Sequence, residues 1–253
     1  MLLPLPLLAQ SPTETFADYF RPSAYSLVQR DVTGVFVNPA SLSRLQNSWL
    51  AIAGEQPYLA AGLKIMHAAV GVPSASGNFG LRLQHVQAKG FSESRITLAY
   101  ARNLRGLLDV GASFSYNNHR FANYRAKSLL HHEFGMLLHV SDQFHAGIRI
   151  VNIMGKARSA NGGLGFDVSE KFFVFAELEK PGGQPGTVIA GIQYRIVPEC
   201  FVRAGISTIT GSCWFGAGIG FNRVRIDVNS GYHPQLGFSP CLLLLFRMKK
   251  LKS

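Results

Sequence analysis

Three side chains that bind metals in other proteins, His131, Glu133 and His139, have the same parity along one segment of the sequence. Imidazole nitrogens and carboxylate oxygens are typical zinc ligands when they converge on one ion. His131 and Glu133 are adjacent on one face of an extended chain, but His139 lies about 20 Å further along it, at ~3.3 Å per residue. The spacing favours separate polar side chains, and we expect no bound metal.

Gly216, Gly218 and Gly220 form a Gly-x-Gly-x-Gly pattern that superficially resembles a phosphate-binding loop. Such loops hold phosphate with backbone N–H groups and with the N-terminus of a following helix. Here apolar residues alternate with the glycines, which is typical of a strand, and no helical pattern follows. We interpret the glycines as small residues that leave room for a segment inside the molecule.

The sequence contains no recognisable nucleophile motif. No Gly-x-Ser-x-Gly is present, and no serine, histidine and acid can be assigned to one catalytic set. The three cysteines, Cys200, Cys213 and Cys241, are widely spaced and show neither metal-ligand spacing nor a disulfide pattern. We therefore predict that the protein is not an enzyme and has no cofactor.

The low content of charged residues narrows the fold class. They make up 15% of the 253-residue chain, where soluble domains have about 25%, and the mean hydropathy is +0.13. A transmembrane helix needs about 20 consecutive apolar residues, and the longest internal apolar run is Cys241–Phe246. The composition leaves a transmembrane β-barrel, or a soluble protein with an apolar surface.

From about residue 48 onward, apolar and polar residues alternate with a period of two, which is typical of half-buried β-strands. In one such segment Leu130, Phe134 and Met136 alternate with His131 and Glu133. The pattern predicts an all-β fold, an antiparallel up-and-down barrel of about fourteen strands. The predicted strands are 48–54, 64–73, 78–88, 94–103, 107–118, 128–141, 144–154, 162–168, 171–180, 187–196, 200–209, 213–222, 224–232 and 238–247.

The predicted connections alternate between short turns and longer segments. Turns such as 141–143 and 222–223 join one set of neighbouring strands, and segments such as 118–126 and 155–162 join the other set. Short periplasmic turns and longer extracellular loops are typical of outer-membrane barrels. The alternation favours a transmembrane barrel, and a soluble or periplasmic β-protein is the alternative.

The two faces of the predicted strands differ in composition. One face is apolar, with aromatic residues such as Tyr100, Tyr116 and Phe221 towards strand ends, which suits lipid. The other consists mostly of small residues with isolated charges of both signs, which suits a lumen where opposite charges pair. We predict a polar network in the lumen that contains Arg82, Arg95, Asp109, Glu133, Arg149, Glu177, Arg195, Arg203, Arg225 and Asp227.

Both ends of the sequence favour export to an outer membrane. Residues 1–9 resemble the remnant of a signal peptide with cleavage after Ala9, and an apolar tail packed on the domain is the alternative. We assign 48–247 to the transmembrane barrel and 248–253 to a basic periplasmic tail. The last predicted strand ends in Phe246, and a terminal aromatic residue is usual in bacterial outer-membrane barrels.

The sequence Asn38-Pro39-Ala40-Ser41-Leu42 lies just before the first predicted strand. With the strand count and the terminal aromatic residue, it resembles the FadL superfamily, and within it the PorV/PorQ-type barrels of Bacteroidota. The resemblance implies that residues 10–47 form a plug or hatch inside the barrel, with Asn38, Pro39 and Ala40 as the plug turn. From the residues alone Asn-Pro initiates a turn, and an ordinary periplasmic turn is the alternative.

The predicted loops are too short to form the ligand-capture groove that long extracellular loops build in classical FadL proteins. The resemblance therefore implies a non-enzymatic accessory or partner subunit of a larger outer-membrane machine. Type IX secretion, or another assembly or export complex, is the expected setting. The alternative is a FadL-like passive channel for small hydrophobic molecules.

The net charge of +11 is concentrated in predicted loops, with Arg120, Arg125 and Lys127 at one and Lys156 and Arg158 at another. Such a basic rim can hold the phosphates of lipopolysaccharide, and solvated loops are the alternative. A pI near 9.9 is also typical of nucleic-acid-binding proteins, but the sequence predicts no basic helix and no surface for base stacking. We expect outer-membrane lipids and protein partners, and no nucleic acid.

Overall fold

The protein forms a closed antiparallel barrel of fourteen strands, as the sequence predicted. The computed structural model describes residues 16–122, 125–153, 157–183, 185–208 and 211–248. Consecutive strands pair with each other, and the first and last strands close the barrel with Trp49 opposite Arg247 and Glu55 opposite Cys241. The strands are Trp49–Glu55 (β1), Lys64–Val72 (β2), Asn78–Ala88 (β3), Phe91–Leu104 (β4), Leu108–Phe121 (β5), Lys127–His139 (β6), Phe144–Ile153 (β7), Ala157–Asp167 (β8), Phe172–Pro181 (β9), Thr187–Val197 (β10), Cys200–Ser207 (β11), Ser212–Phe221 (β12), Val224–His233 (β13) and Gly237–Arg247 (β14).

The period-two pattern decides which face of each strand points outward. On β4, Ile96 and Leu98 are 49% and 63% exposed, whereas the alternate residues Thr97 and Ala99 are buried. A continuous apolar outer face of this kind is stable only in lipid, because water would solvate it poorly. The apolar face therefore points away from the barrel axis.

The inner face is less polar than the sequence analysis predicted. Leu243 and Leu245 on β14, Phe173 and Phe175 on β9, and Trp214 on β12 all point inward and are buried. These side chains pack in one cluster with apolar residues of the N-terminal segment, which we define as residues 16–47. Inward apolar residues thus mark the parts of the wall that contact this segment.

The predicted difference between short turns and long loops is much smaller than expected, because the strands extend into the predicted loops, and the connection 56–63 between β1 and β2 is the one that stays long among the described residues. We call the end where β1 begins and β14 ends the terminal end. Connections at the opposite end shrink to 89–90 between β3 and β4 and 122–126 between β5 and β6. At the terminal end they include 140–143 and 222–223. Backbone pairing between strands continues past the apolar stretch, so hydrophobicity alone placed the strand ends too early.

The N-terminal segment is irregular and lies inside the barrel. It contains the α-helix Arg21–Tyr25 (α1) and the 3-10 helices Val32–Phe36 and Pro39–Arg44. Asp31 and Asn38 cap the two 3-10 helices by accepting hydrogen bonds from backbone N–H groups two residues later. No described helix has the length and apolar character needed to cross a membrane.

The described part of the chain covers only some of the predicted regions at its ends. The signal-peptide remnant 1–9 and the beginning of the predicted plug, 10–15, lie outside the described residues. Of the basic tail 248–253, only Met248 is described. The cleavage site and the role of the tail stay predictions.

Candidate functional site

The turn at Asn38 lies against the inner wall, close to β6 and β7. Asn38 is 2% exposed, its amide nitrogen donates to the carbonyl of Ile148, and its Oδ1 accepts from Ala40 N. Pro39 and Ala40 pack on Gly111 of β5. The predicted plug-turn residues are therefore brought together in the lumen, where they join the segment to three adjacent strands.

Glycines of the wall make room for the N-terminal segment. A Cβ atom added to Gly135 would overlap the Asn38 side chain, and one added to Gly111 would lie 2.6 Å from Ala40 N. Such separations are too short for non-bonded atoms, so only glycine fits at these positions. The same close approach to residues of the segment occurs at Gly71, Gly80, Gly147, Gly163 and Gly165.

Gly216, Gly218 and Gly220 do not make room for the plug, contrary to the sequence interpretation. A Cβ atom at Gly216 would overlap Asn229, and one at Gly218 would overlap Phe201 and Asp227. These neighbours belong to the adjacent strands β11 and β13. Gly216 and Gly218 instead allow large inward side chains of the wall to lie across β12, whereas a Cβ atom at Gly220 would lie 3.6 Å from the carbonyl oxygen of Glu199.

Buried ion pairs join the segment to the wall near the terminal end. Arg225 on β13 donates to Asp31 of the segment at 2.6 Å and to Asp227 at 2.9 Å. Arg203 on β11 also bonds Asp227, at 3.0 Å, and its guanidinium lies 4.9 Å from the ring centre of Phe20. Burial alone would raise the pKa of Asp31, but Arg225 and the hydrogen bonds from Thr33 outweigh it and hold that pKa below its ordinary value.

A second set of charges holds α1 against the other side of the wall. Arg21 forms ion pairs with Asp18 and with Glu177 on β9, and its third carboxylate, Glu179, lies at 3.4 Å. Tyr25 donates to Glu177 at 2.9 Å. Burial raises the pKa of Asp18 to about 6, even though Arg21 donates two hydrogen bonds to it.

A chain of hydrogen bonds links two distant points of the segment across β5–β8. Arg44 donates a hydrogen bond to Asp109, and Asp109 is also hydrogen-bonded to Nε2 of His139. His139 Nδ1 lies 2.9 Å from His145 Nδ1. The chain continues from His145 to Asp167, which accepts from the hydroxyl of Ser26.

The remaining predicted lumen residues point inward but are paired more loosely. Arg82 lies 3.7 Å from Glu133 and donates to the carbonyl of Val35 in the segment. Arg149 lies 3.9 Å from Glu179, and Arg95 lies 3.2 Å from Glu93. Arg195 on β10 is half-buried near the terminal end. The predicted network is thus several separate clusters, most of which contact a part of the N-terminal segment.

Two sizeable cavities lie in the lumen on either side of the segment, as far as the described residues define it. One, of about 650 Å³, opens at the terminal end beside residues 27–31, and its lining includes Arg195, Arg223 and Arg225. The other, of about 290 Å³, lies in the opposite half and is lined by Arg82, Arg95, Arg149, His131 and Glu133 among others. They share no lining residue. Both linings include several charged side chains, which a hydrophobic ligand would leave desolvated and unpaired.

The predicted basic rim is described only in part. Arg120 at the end of β5, Arg125 in the following connection and Lys127 at the start of β6 are exposed at the opposite end. Arg158 belongs to β8, and Lys156 lies outside the described residues. Among the described residues, no group of His, Cys, Asp and Glu is arranged to hold a metal ion.

Asn78, His145 and Glu55 are polar lumen residues that the sequence analysis missed. The amide of Asn78 donates to the carbonyls of Leu42, Ser43 and Leu45, at the end of the 3-10 helix Pro39–Arg44. Glu55 accepts from Tyr19 in the segment. His145 pairs with His139 across the β6–β7 hairpin, and its position next to that predicted turn was a usable signal. No sequence signal identifies the partners of Asn78.

No family model and no curated protein matches this sequence. Among solved structures, the toluene transporter TodX of P. putida matches with a TM-score of 0.66 at 10% identity, over 87% of this chain and 95% of that one. The CymD monoaromatic hydrocarbon channel matches with a TM-score of 0.66 at 11% identity, over 96% and 99%. The KdgM porin matches with a TM-score of 0.50 at 9% identity, over 79% and 99%. The chain therefore has the fold of outer-membrane barrel proteins.

Proposed function

We propose that this protein is a plugged barrel of the Gram-negative outer membrane that acts, without catalysis, as an accessory or partner subunit of a larger outer-membrane machine. The observation that supports this is the occupied lumen. Ion pairs of Asp31, Arg21 and Arg44 hold the N-terminal segment to β13, β9 and β5, on well-separated parts of the wall. Because the lumen of such a barrel is filled, the barrel contributes to a complex through its outer surfaces and its two ends.

The resemblance of Asn38–Leu42 to PorV/PorQ-type barrels makes a type IX secretion-like complex of Bacteroidota the first setting to test. The outer face carries the apolar residues that lipid requires, and the exposed Arg120, Arg125 and Lys127 suit the phosphates of lipopolysaccharide. In this orientation the terminal end, which contains the connection 222–223 and both ends of the barrel, faces the periplasm. Export requires a signal peptide that residues 1–9 would supply in part.

A passive channel for small hydrophobic molecules is the second candidate, because TodX and CymD, which share the fold, are a toluene transporter and a monoaromatic hydrocarbon channel by name. Two features count against it. The cavities are lined by charged residues such as Arg82 and Arg95, and each described strand pairs with both of its neighbours around the barrel. A hydrophobic solute would have to displace both the charges and the segment.

The test is purification of the tagged protein from outer membranes that are cross-linked before detergent extraction, followed by mass spectrometry of the products. The accessory-subunit proposal predicts a defined complex with one or a few partners in fixed ratio, recovered again when the partner carries the tag. Recovery of the barrel at its own mass, with and without cross-linking, would reject the proposal and favour the channel.

A further inference from the structure

The cavity at the terminal end contains more positive charge than the N-terminal segment uses. Its volume of about 650 Å³ is within the range of ordinary ligand sites. The acidic side chains in its lining are Asp31 and Glu199. The basic side chains in its lining are Arg30, Arg195, Arg223, Arg225 and Arg247.

Among the described residues, only Arg225 of these arginines has carboxylates within 4.0 Å, although Asp167 and Glu170 attract Arg195 over a longer distance. Arg225 pairs with Asp31 and Asp227, whereas Arg30 and Arg247 donate to the backbone carbonyls of Leu27 and Asn222. Within the described part of the chain, Arg195 and Arg223 have neither a hydrogen bond nor an ion pair within 4.0 Å. Arg195 is half-buried, so its unpaired guanidinium is partly desolvated and favours an anion.

The arginines come from separate parts of the chain around the opening. Arg30 belongs to the N-terminal segment, Arg195 to β10, Arg223 to the β12–β13 turn and Arg247 to the end of β14. Trp49 also lines the cavity, and its indole N–H is buried with no acceptor among the described residues. Charges spread in this way match a ligand that carries several carboxylates along an extended backbone, since one small anion would reach few of them.

We infer that this cavity is a docking site for an extended acidic segment of a periplasmic protein partner. Aspartate or glutamate side chains of the segment pair with Arg195 and Arg223, because guanidinium groups bind carboxylates through two parallel hydrogen bonds. The inference rests on the proposed function as a partner subunit and names the chemistry of its periplasmic contact.

The experiment measures binding of a fluorescein-labelled peptide of alternating glutamate and serine to the full-length barrel in zwitterionic detergent, by fluorescence anisotropy at physiological ionic strength. We expect the glutamate peptide to bind, and a peptide with lysine in place of glutamate not to bind. The variant Arg195→Gln/Arg223→Gln should bind at least tenfold more weakly. Arg102→Gln/Arg105→Gln, at the same end of the barrel but outside the cavity, should bind within twofold of the wild type.

Equal weakening in the two double variants would overturn the inference, because it would show attraction to net charge alone. Absence of binding to the wild-type barrel would also overturn it. Arg195→Lys/Arg223→Lys tests the geometry, and we expect it to recover only part of the affinity. Because the experiment uses the isolated barrel, its failure leaves the cross-linking test of the proposed function unaffected.

Discussion

The guanidinium of Arg225 on β13 lies 2.6 Å from the carboxylate of Asp31, which precedes it by 194 residues in the chain. Asp31 caps a 3-10 helix of the N-terminal segment, and Arg225 belongs to the barrel wall. The Asp31 side chain is 2% exposed and that of Arg225 14% exposed. The pair therefore connects the position of the segment directly to the wall, and the Asp31 carboxylate has almost no contact with water.

Replacement of Arg225 by methionine should release the segment, because it leaves the Asp31 carboxylate buried without its cation. Breaking one partner of a buried pair costs about 3–5 kcal/mol. Since ~1.4 kcal/mol is a factor of ten, the population of the released segment should rise about a hundredfold or more. The rate of proteolysis within residues 16–47 measures this population when opening is fast. Arg102→Met, an exposed control, should leave the rate unchanged, and equal rates for both variants would contradict the prediction.

Alanine at Gly135 should displace the plug turn, because the added methyl group overlaps the Asn38 side chain. Overpacking of this kind costs about 1–3 kcal/mol. The matched control is Gly162→Ala, where the added Cβ meets nothing within 4 Å and should be neutral or slightly stabilising. Chemical denaturation of the two variants in detergent measures the difference. If Gly135→Ala were as stable as Gly162→Ala, the turn would not lie where we place it.

Aspartate at Asn78 should be more harmful than alanine, although it is nearly the same size as asparagine. The amide N–H₂ donates to the carbonyls of Leu42, Ser43 and Leu45, and a carboxylate would face the same three oxygens with a negative charge. Each carbonyl left unpaired costs about 1–3 kcal/mol, and the charge adds to this. Hydrogen exchange over residues 39–45 should be fastest in Asn78→Asp, intermediate in Asn78→Ala and unchanged in the exposed control Asn222→Asp. Equal exchange in all variants would argue against the three bonds.

Arginine at Leu98 should impair insertion into lipid, because Leu98 is 63% exposed on the outer face of β4. Lysine or arginine on the lipid face near the bilayer midplane costs about 2–4 kcal/mol. Folding into phosphatidylcholine vesicles can be followed by electrophoretic mobility over a series of urea concentrations. The highest urea concentration at which the barrel still folds should be lower for Leu98→Arg than for Leu98→Met. A soluble barrel would show the reverse, with Leu98→Arg more soluble and no less stable.

The number of strands and the direction in which each strand face points follow from the sequence. Both depend on the period-two alternation of apolar and polar residues, which contact with lipid imposes on each strand separately. Leu98 and Thr97 differ in polarity, and that contrast alone assigns one to lipid and the other to the lumen. The strand ends could not be predicted in this way, since residues such as Arg120 continue the backbone pairing between strands beyond the apolar band. Pairing depends on the neighbouring strand, which a local pattern does not show.

The lumen contacts were predictable only as far as residue type. The sequence placed Asp109 and His139 on inward positions, but their bond depends on the register between β5 and β6 and on Arg44 reaching them from the segment. His139 was grouped with His131 on the basis of its own strand, whereas its partner His145 lies across the hairpin. Contacts between strands and segment are long-range, and no spacing along the chain encodes them.

Conductance in planar lipid bilayers is the most direct test of the claim that the N-terminal segment closes the barrel. We predict that the wild-type protein, once inserted, shows no stable open level, because residues 16–47 fill the lumen and its two cavities share no lining residue. Arg225→Met and Asn78→Asp, which loosen the segment, should show open events that the wild type lacks. A persistent open level in the wild type, equal to that of both variants, would contradict the plugged barrel and with it the proposed role as a partner subunit.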